Sequence, residues 1–420
     1  MKRVLFAVLA LAVLAGGVLL LARYERYEWT TASPTALAEF EAGVESIGKL
    51  YFPEAVAHLE AAVEADPDFA AAHLYLMQAL NRSGAATPQR ISAVIESLRE
   101  TDLERLNERE RALVSHYLAR IDGDYERAYE IVDDYLADHP DDPFLLERHC
   151  LANDRIAGDS GEIEACLDRL IEIDPNRVQA LNMLAYMAFD RGAFDDAAER
   201  FELYRYLAPD QANPHDSFGE LLMVTGRYDQ AASEFRQAIG VKQDFCASWD
   251  NLMTVELLRR DAAAAARVLD EMVEAEGCPE PRHPLQRCRV EMWSLILGER
   301  WPEAYEKSRD GCGPNPIFGD SSYLGIRAAL ASGHPEASEE VIEVVSEWFR
   351  KERGVKDARH EVPFVALLVG LHESAAGDHE TAIESLRFAD EKMIWGGGMG
   401  TNKLYSRLER AAAQATSGQS

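Results

Sequence analysis

The chain has 420 residues, 47% of them apolar, and a formal net charge of −30. So much negative charge argues against nucleic acid or an anionic lipid surface as the main partner, and its plainest role is to keep an elongated surface soluble. Length alone would split the chain into two or three globular domains, unless its core grows in one dimension through repeats.

Lys2 and Arg3 precede an apolar run from Val4 to Ala22, which Arg23 closes. The run is long enough to span a bilayer. No small-x-small cleavage site follows directly and no cysteine sits near its end, so residues 1–23 are predicted to be an uncleaved anchor. The short basic N-terminus favours staying in the cytoplasm, with the rest of the chain outside it. Secretion after cleavage is the alternative. Tyr24, Tyr27 and Trp29 suit an aromatic anchor at the membrane interface. Residues 24–35 read as a linker.

From Ala36 onward small and apolar residues recur in phase. The first unit carries Gly43, Phe52, Ala55, Leu59, Ala62 and Pro67. The second begins at Ala70 with Leu76 and Leu80, then drifts after Gly84 until Thr87-Pro88 opens a helix. The third has Gly123, Tyr125, Ala128, Val132 and Pro140; the fourth keeps phase through Gly158, Ile163, Leu167 and Pro175. The period is clearest from Val178 to Gln243. There Gly192, Phe194, Ala197 and Phe201 recur as Gly226, Tyr228, Ala231 and Phe235, each 34 residues later. Leu181, Leu184, Ala185 and Ala188 form one apolar stripe at helical spacing. Arg191-Gly192 then stops the helix, and Asp195-Asp196 open the next at the positive end of its dipole. A seventh unit starts at Cys246, with Asp261 in place of the glycine stop. Three further units carry Ala304, Ala337 and Ala382. A last helix, Asn402 to Ala413, is expected to close the array as a polar cap, followed by a disordered tail over 414–420.

These positions resemble the tetratricopeptide repeat. Its signature is met by Phe218-Gly219, Gly226, Tyr228, Ala231, Phe235 and Ala238, with Gln243 where that family often has proline. The resemblance implies an all-α solenoid of about ten antiparallel helix pairs over 36–413, and the apolar run Val4–Ala22 predicts an N-terminal transmembrane helix before it. Glu100 to Gly240 is also similar to the repeat regions attached to some bacterial Ser/Thr kinases and regulators. The kinase part is absent, since no glycine-rich ATP loop, His-Arg-Asp or Asp-Phe-Gly occurs.

No motif points to catalysis, a cofactor or a metal. Gly396 to Lys403 lacks the Gly-Lys-Ser/Thr ending of a phosphate loop. The histidines form no His-x-x-x-His pair, and adjacent His149 and Cys150 point about 100° apart on a helix. Asp195-Asp196 and Asp133-Asp134 are helix openers or solvated faces rather than acid/base pairs.

The expected function is therefore a protein-interaction scaffold at the bacterial inner membrane, with its repeats in the periplasm and the membrane met only by the N-terminal helix. A sensory or regulatory module is the alternative, and an enzyme on a repeat scaffold a more distant one. In such a superhelix the first helix of each pair lines the concave face. Its second stripe carries Asn182, Tyr186 and Phe189, then Asn213, Asp216 and Glu220, then Asp250 and Asn251. Asparagine pairs with peptide donors and acceptors, aromatics give flat apolar area, and the carboxylates prefer a basic group. The partner is expected to be a protein or extended peptide with Lys or Arg. Six cysteines in an exported chain permit disulfides. The expected pairs are Cys150–Cys166 and Cys278–Cys288, with buried or loop thiols as the alternative.

Overall fold

The computed structural model describes residues 29–151, 160–275, 278, 282–310, 319–393 and 400–417. The apolar run Val4–Ala22 lies outside them. Among the described residues no helix is long and apolar enough to cross a membrane. The described residues form helices and their connections, and the chain divides into two units, 1–155 and 156–420.

In the first unit, α1 (Pro34–Gly48) starts because the Ser33 hydroxyl accepts the Ala36 amide at 3.2 Å and proline occupies the first turn. It packs on α2 (Phe52–Ala65) at a close approach: a Cβ on Gly43 would lie 2.5 Å from Leu59 Cγ. Next come α3 (Ala70–Ser83), α4 (Pro88–Glu100), α5 (Glu108–Ile121), α6 (Tyr125–Asp138) and α7 (Pro143–Cys150). Thr87, Asn107, Asp124 and Asp142 cap four of these by accepting backbone amides. Helix α3 is buried along most of its length, because neighbours cover both sides of it.

The segment before α1 differs from expectation. Trp29 is not displayed as an interfacial anchor. Its ring packs edge-on against Phe40 (4.8 Å), Phe144 (5.1 Å) and Tyr75 (6.5 Å). Thr30 donates its amide to Glu110 Oε2 at 2.8 Å, and Thr31 donates its hydroxyl to Asp66. An indole this close to three rings gains more by burial in the repeats than at an interface. Glu110 is fully buried, which pushes its carboxyl up, while the two Thr30 bonds pull it back.

In the second unit the period is visible in the helix limits. After α8 (Ser160–Ile173), three pairs follow: α9 (Val178–Asp190) with α10 (Phe194–Leu207), α11 (Ala212–Val224) with α12 (Tyr228–Val241), and α13 (Cys246–Leu258) with α14 (Ala262–Glu274). First helices start at 178, 212 and 246; second helices start at 194, 228 and 262. The array continues through α15 (Arg282–Leu297), α16 (Trp301–Asp310), α17 (Gly319–Ala331), α18 (Pro335–Arg353), a short α19 (Ala358–Glu361), α20 (Pro363–Ala376), α21 (His379–Lys392) and α22 (Gly400–Ser417). Helix α22 reaches Ser417, so residues 414–417 are helical rather than a tail.

The connection inside these three pairs uses one device. The residue two places before the second helix is left-handed: φ is 80° at Gly192, 78° at Gly226 and 65° at Arg260. Leu50 (63°) and Glu299 (57°) hold the same place in other pairs. Asp261 therefore does not replace the glycine stop; Arg260 does. Asp261 caps α14 by accepting the Ala264 amide at 2.8 Å.

The cysteine pairing also differs. Cys246 is bonded to Cys278, with Cα atoms 5.7 Å apart, which overturns Cys278–Cys288. Cys246 opens α13 and Cys278 follows α14, so the two ends of one antiparallel hairpin meet. Cys288 instead lies inside α15, where it is turned towards the core formed by α15 to α21. Cys150, Cys166 and Cys288 are each disulfide-bonded.

Candidate interaction surface

Successive first helices touch one another, α9 with α11, α11 with α13, α13 with α15, and α15 with α17. This repeated adjacency puts residues 34 or 35 apart side by side on one face. The stripe holding Tyr186, Glu220 and Thr254 continues into Arg289 and Tyr323 by that step.

Hydrogen bonds run between helices along this face. The Tyr186 hydroxyl donates to Glu220 Oε2 at 3.1 Å. The Ser248 hydroxyl donates to Asp216 Oδ1 at 2.7 Å, and the Asn251 amide donates to the same oxygen at 3.3 Å. Arg289 donates to Thr254 Oγ1 at 2.9 Å. Asp216 is 4% exposed and Glu220 7%. Burial pushes the Asp216 carboxyl up to about 6; the bonds from Ser248 and Asn251 oppose that, and the charge of Asp250 adds to it. Burial also holds the Tyr186 hydroxyl well above its ordinary value, with Glu220 and Asp216 adding to the effect.

The predicted residues separate into three groups. Tyr186, Asp216, Glu220, Asp250 and Asn251 come together as one polar cluster. Asn182 is buried on α9, with no hydrogen-bond partner at Oδ1, one repeat before the Asp216 position. Asn213 turns to the second helix before it and donates to the Tyr204 hydroxyl at 3.1 Å, beside Gln179 at 2.8 Å. Phe189 departs from the expectation: it is fully buried against Phe194 and Phe201. The reason is the helix's own rotation. Positions 189, 223, 257 and 292 hold Phe, Met, Leu and Met, all buried, and they form a core stripe rather than a lining one.

Sequence reasoning missed the far end of this face. Trp293 on α15 and Tyr323 and Arg327 on α17 are met there by α22. The Tyr405 ring stacks on Tyr323 with centroids 4.2 Å apart and lies 6.4 Å from Trp293. Tyr323 donates its hydroxyl to Glu409 Oε1 at 2.8 Å, and Arg327 pairs with the same carboxylate. Helix α22 also touches α11, α20 and α21. It is thus more than an end cap. From Glu220 a step of 34 reaches Thr254, and Arg289 and Tyr323 follow only if the next step is lengthened to 35, so a strict count misses them by one residue; nothing in the repeat pattern marks α22 as their neighbour.

Paired helices with a 34-residue step, a left-handed residue at the turn and a small residue facing Phe235 decide the architecture. The fold is a tetratricopeptide-type solenoid. No family model and no curated protein matches the chain. Solved structures that it resembles include a tetratricopeptide repeat protein from Parabacteroides merdae, 14% identical, with a TM-score of 0.43 over 73% of this chain and 99% of that one. Yeast Tom70 is 12% identical, with a TM-score of 0.44 over 91% of this chain and 96% of that one. Pseudomonas aeruginosa pilF is 18% identical, with a TM-score of 0.35 over 51% of this chain and 93% of that one. Among the described residues no group of three or more His, Cys, Asp or Glu is placed to hold a metal ion.

Proposed function

We propose that this tetratricopeptide-type chain is a protein-interaction scaffold of the bacterial cell envelope, whose second unit receives a basic polypeptide segment on the first-helix face. One observation carries the reading: Asp216, Glu220 and Asp250 lie together there, bridged by Asn251, and the Asp216 carboxyl is pushed up first by burial and then by the charge of Asp250. A guanidinium or ammonium from a partner offsets that charge, because an opposite charge favours the ionised carboxylates. Tyr186 and Asn251 supply further polar contact beside them. The envelope location is supported by the apolar run Val4–Ala22 and by the Cys246–Cys278 bridge, since such bridges persist in oxidising compartments.

The test uses fluorescein-labelled fifteen-residue peptides, one series rich in Lys and Arg and one in Glu, read by anisotropy. The basic series is expected to bind, and Asp216→Asn with Asp250→Asn to weaken it at least tenfold at low salt. Equal binding of the acidic series, or unchanged affinity in a variant that keeps its helicity, moves the site off this face. A reporter fused after Ser420 that is active only outside the cytoplasm tests the location; activity of a cytoplasmic reporter alone refutes it.

A further inference from the structure

We propose that α22 is a built-in occupant of the first-helix face, and that the partner it yields to is a basic amphipathic helix with one aromatic anchor. This deepens the reading above and rests on its basic segment.

The first support is position. Through Tyr405 and Glu409, four residues apart and so on one side of the helix, α22 meets Trp293, Tyr323 and Arg327. It also touches α11, which carries Asp216 and Glu220, and α20. These are first helices of four different pairs. An end cap covers the last pair; α22 reaches back along the face on which this array would hold a ligand.

The second is chemistry. In a chain with a net charge of −30, residues 400–417 carry Lys403, Arg407 and Arg410 against the single carboxylate Glu409. Arg407 and Arg410 both reach Asp390, at 2.7 and 3.0 Å, and Asp390 is 6% exposed. Lys403 is buried with its ammonium on the Met393 carbonyl, in the field of Asp390 and Asp190. These bases hold α22 through Asp390 of α21, a second helix, while on the first-helix face itself the ion pair is Glu409 with Arg327; the segment as a whole is still basic.

The third is how the helix is held. Among its described side chains, Tyr405 and Ala413 are the buried apolar ones, whereas Asn402, Lys403 and Ser406 are buried and polar. Its ties are one ring stack, ion pairs and hydrogen bonds. Arg407 keeps half of its side chain in water, so salt screens that pair. A segment attached to its own site has an effective concentration near millimolar, so a partner in solution competes against that and gains when α22 is weakened.

The test needs no natural partner. The probe is a fluorescein-labelled peptide of residues 400–417, added to the full chain. In Tyr405→Ala with Glu409→Ala the tethered copy is weakened, and the peptide is expected to bind at least tenfold more tightly than to the unaltered chain. Adding Arg327→Glu should abolish that gain, and a peptide carrying Glu409→Arg should restore it. A folded double variant that binds the peptide no better makes α22 a fixed cap and overturns the proposal. The basic fifteen-residue peptides decide the earlier reading separately: their binding survives failure of the α22 peptide. Should the double variant lose structure, Arg407→Glu with Arg410→Glu takes its place, read by hydrogen exchange. Exchange rising at least tenfold over 400–417 alone supports a releasable helix. Exchange rising together over α20, α21 and α22 overturns it.

Discussion

Replacing Gly219 by alanine tests how closely the paired helices approach. An ideal Cβ at 219 lies 2.6 Å from Phe235 Cε1 and 2.9 Å from both Cδ1 and Cζ. Carbon atoms rest about 3.5–4.0 Å apart, so α11 and α12 must separate by roughly 1 Å or the ring must turn. Phe235 is fully buried and has little room. Overpacking of this kind costs about 1–3 kcal/mol, and alanine regains about 1 kcal/mol over glycine within a helix. The net expectation is neutral to about 2 kcal/mol destabilising. Gly240→Ala, on α12, is the matched control, since its Cβ meets nothing within 4 Å. It should stabilise by about 1 kcal/mol. The two variants should therefore differ by about 1–3 kcal/mol in urea unfolding followed by circular dichroism. The preceding pair shows what relaxation looks like: Ala185 faces Phe201 at the same step, both fully buried. Equal stabilisation by both alanines would mean that α11 and α12 relax freely to that spacing, and the close-approach argument would fail.

Three further outcomes follow from the turns, the bridge and the buried acid. Arg260→Gly should raise stability by up to about 1 kcal/mol and Gly226→Ala should lower it by about 1–2 kcal/mol, because both places require a left-handed residue; opposite signs in the same urea assay would contradict this. Cys246→Ser with Cys278→Ser should cost about 2–4 kcal/mol, and thiol labelling of the denatured, unreduced chain should leave both cysteines unmodified; labelled cysteines there would exclude the bridge. Asp216 binds its proton more tightly when folded, so its contribution is full below about 3.8 and is lost as pH rises through about 6. Asp216→Asn should remove that decline, on the order of 1–3 kcal/mol; an unchanged pH profile would refute the assignment.

The repeat frame was legible because its causes are local. Glycine at 192 and 226, alanine at 197 and 231, and the aromatics at 201 and 235 each do their work within one hairpin, so a fixed step exposes them. The turn at Arg260 was misread because an arginine in a left-handed turn gives no compositional sign. Phe189 was misplaced because a three-or-four-residue count drifts around the helix, and one more turn crosses from the lining stripe into the core. Trp29 and Tyr405 were beyond reach for a shared reason: each joins parts of the chain that no periodic pattern relates, and only the folded path brings Trp29 beside Phe144, or Tyr405 beside Tyr323. The Cys246–Cys278 pair was within reach, since the two cysteines mark the start and end of one hairpin, but proximity in sequence favoured Cys278–Cys288 instead.

In an array held together neighbour by neighbour, unfolding spreads as a front that peels one hairpin from the next. The bond between Cys246 and Cys278 turns the α13–α14 hairpin into a closed ring of chain. A front arriving from the C-terminal side can strip α15 and everything after it, but it cannot draw that ring out to full length. The bridge therefore acts as a firebreak. Pulled under oxidising conditions, the chain should extend less than its Cys246→Ser, Cys278→Ser variant by the span locked between residues 246 and 278, a comparison that leaves the bonds of Cys150, Cys166 and Cys288 the same in both.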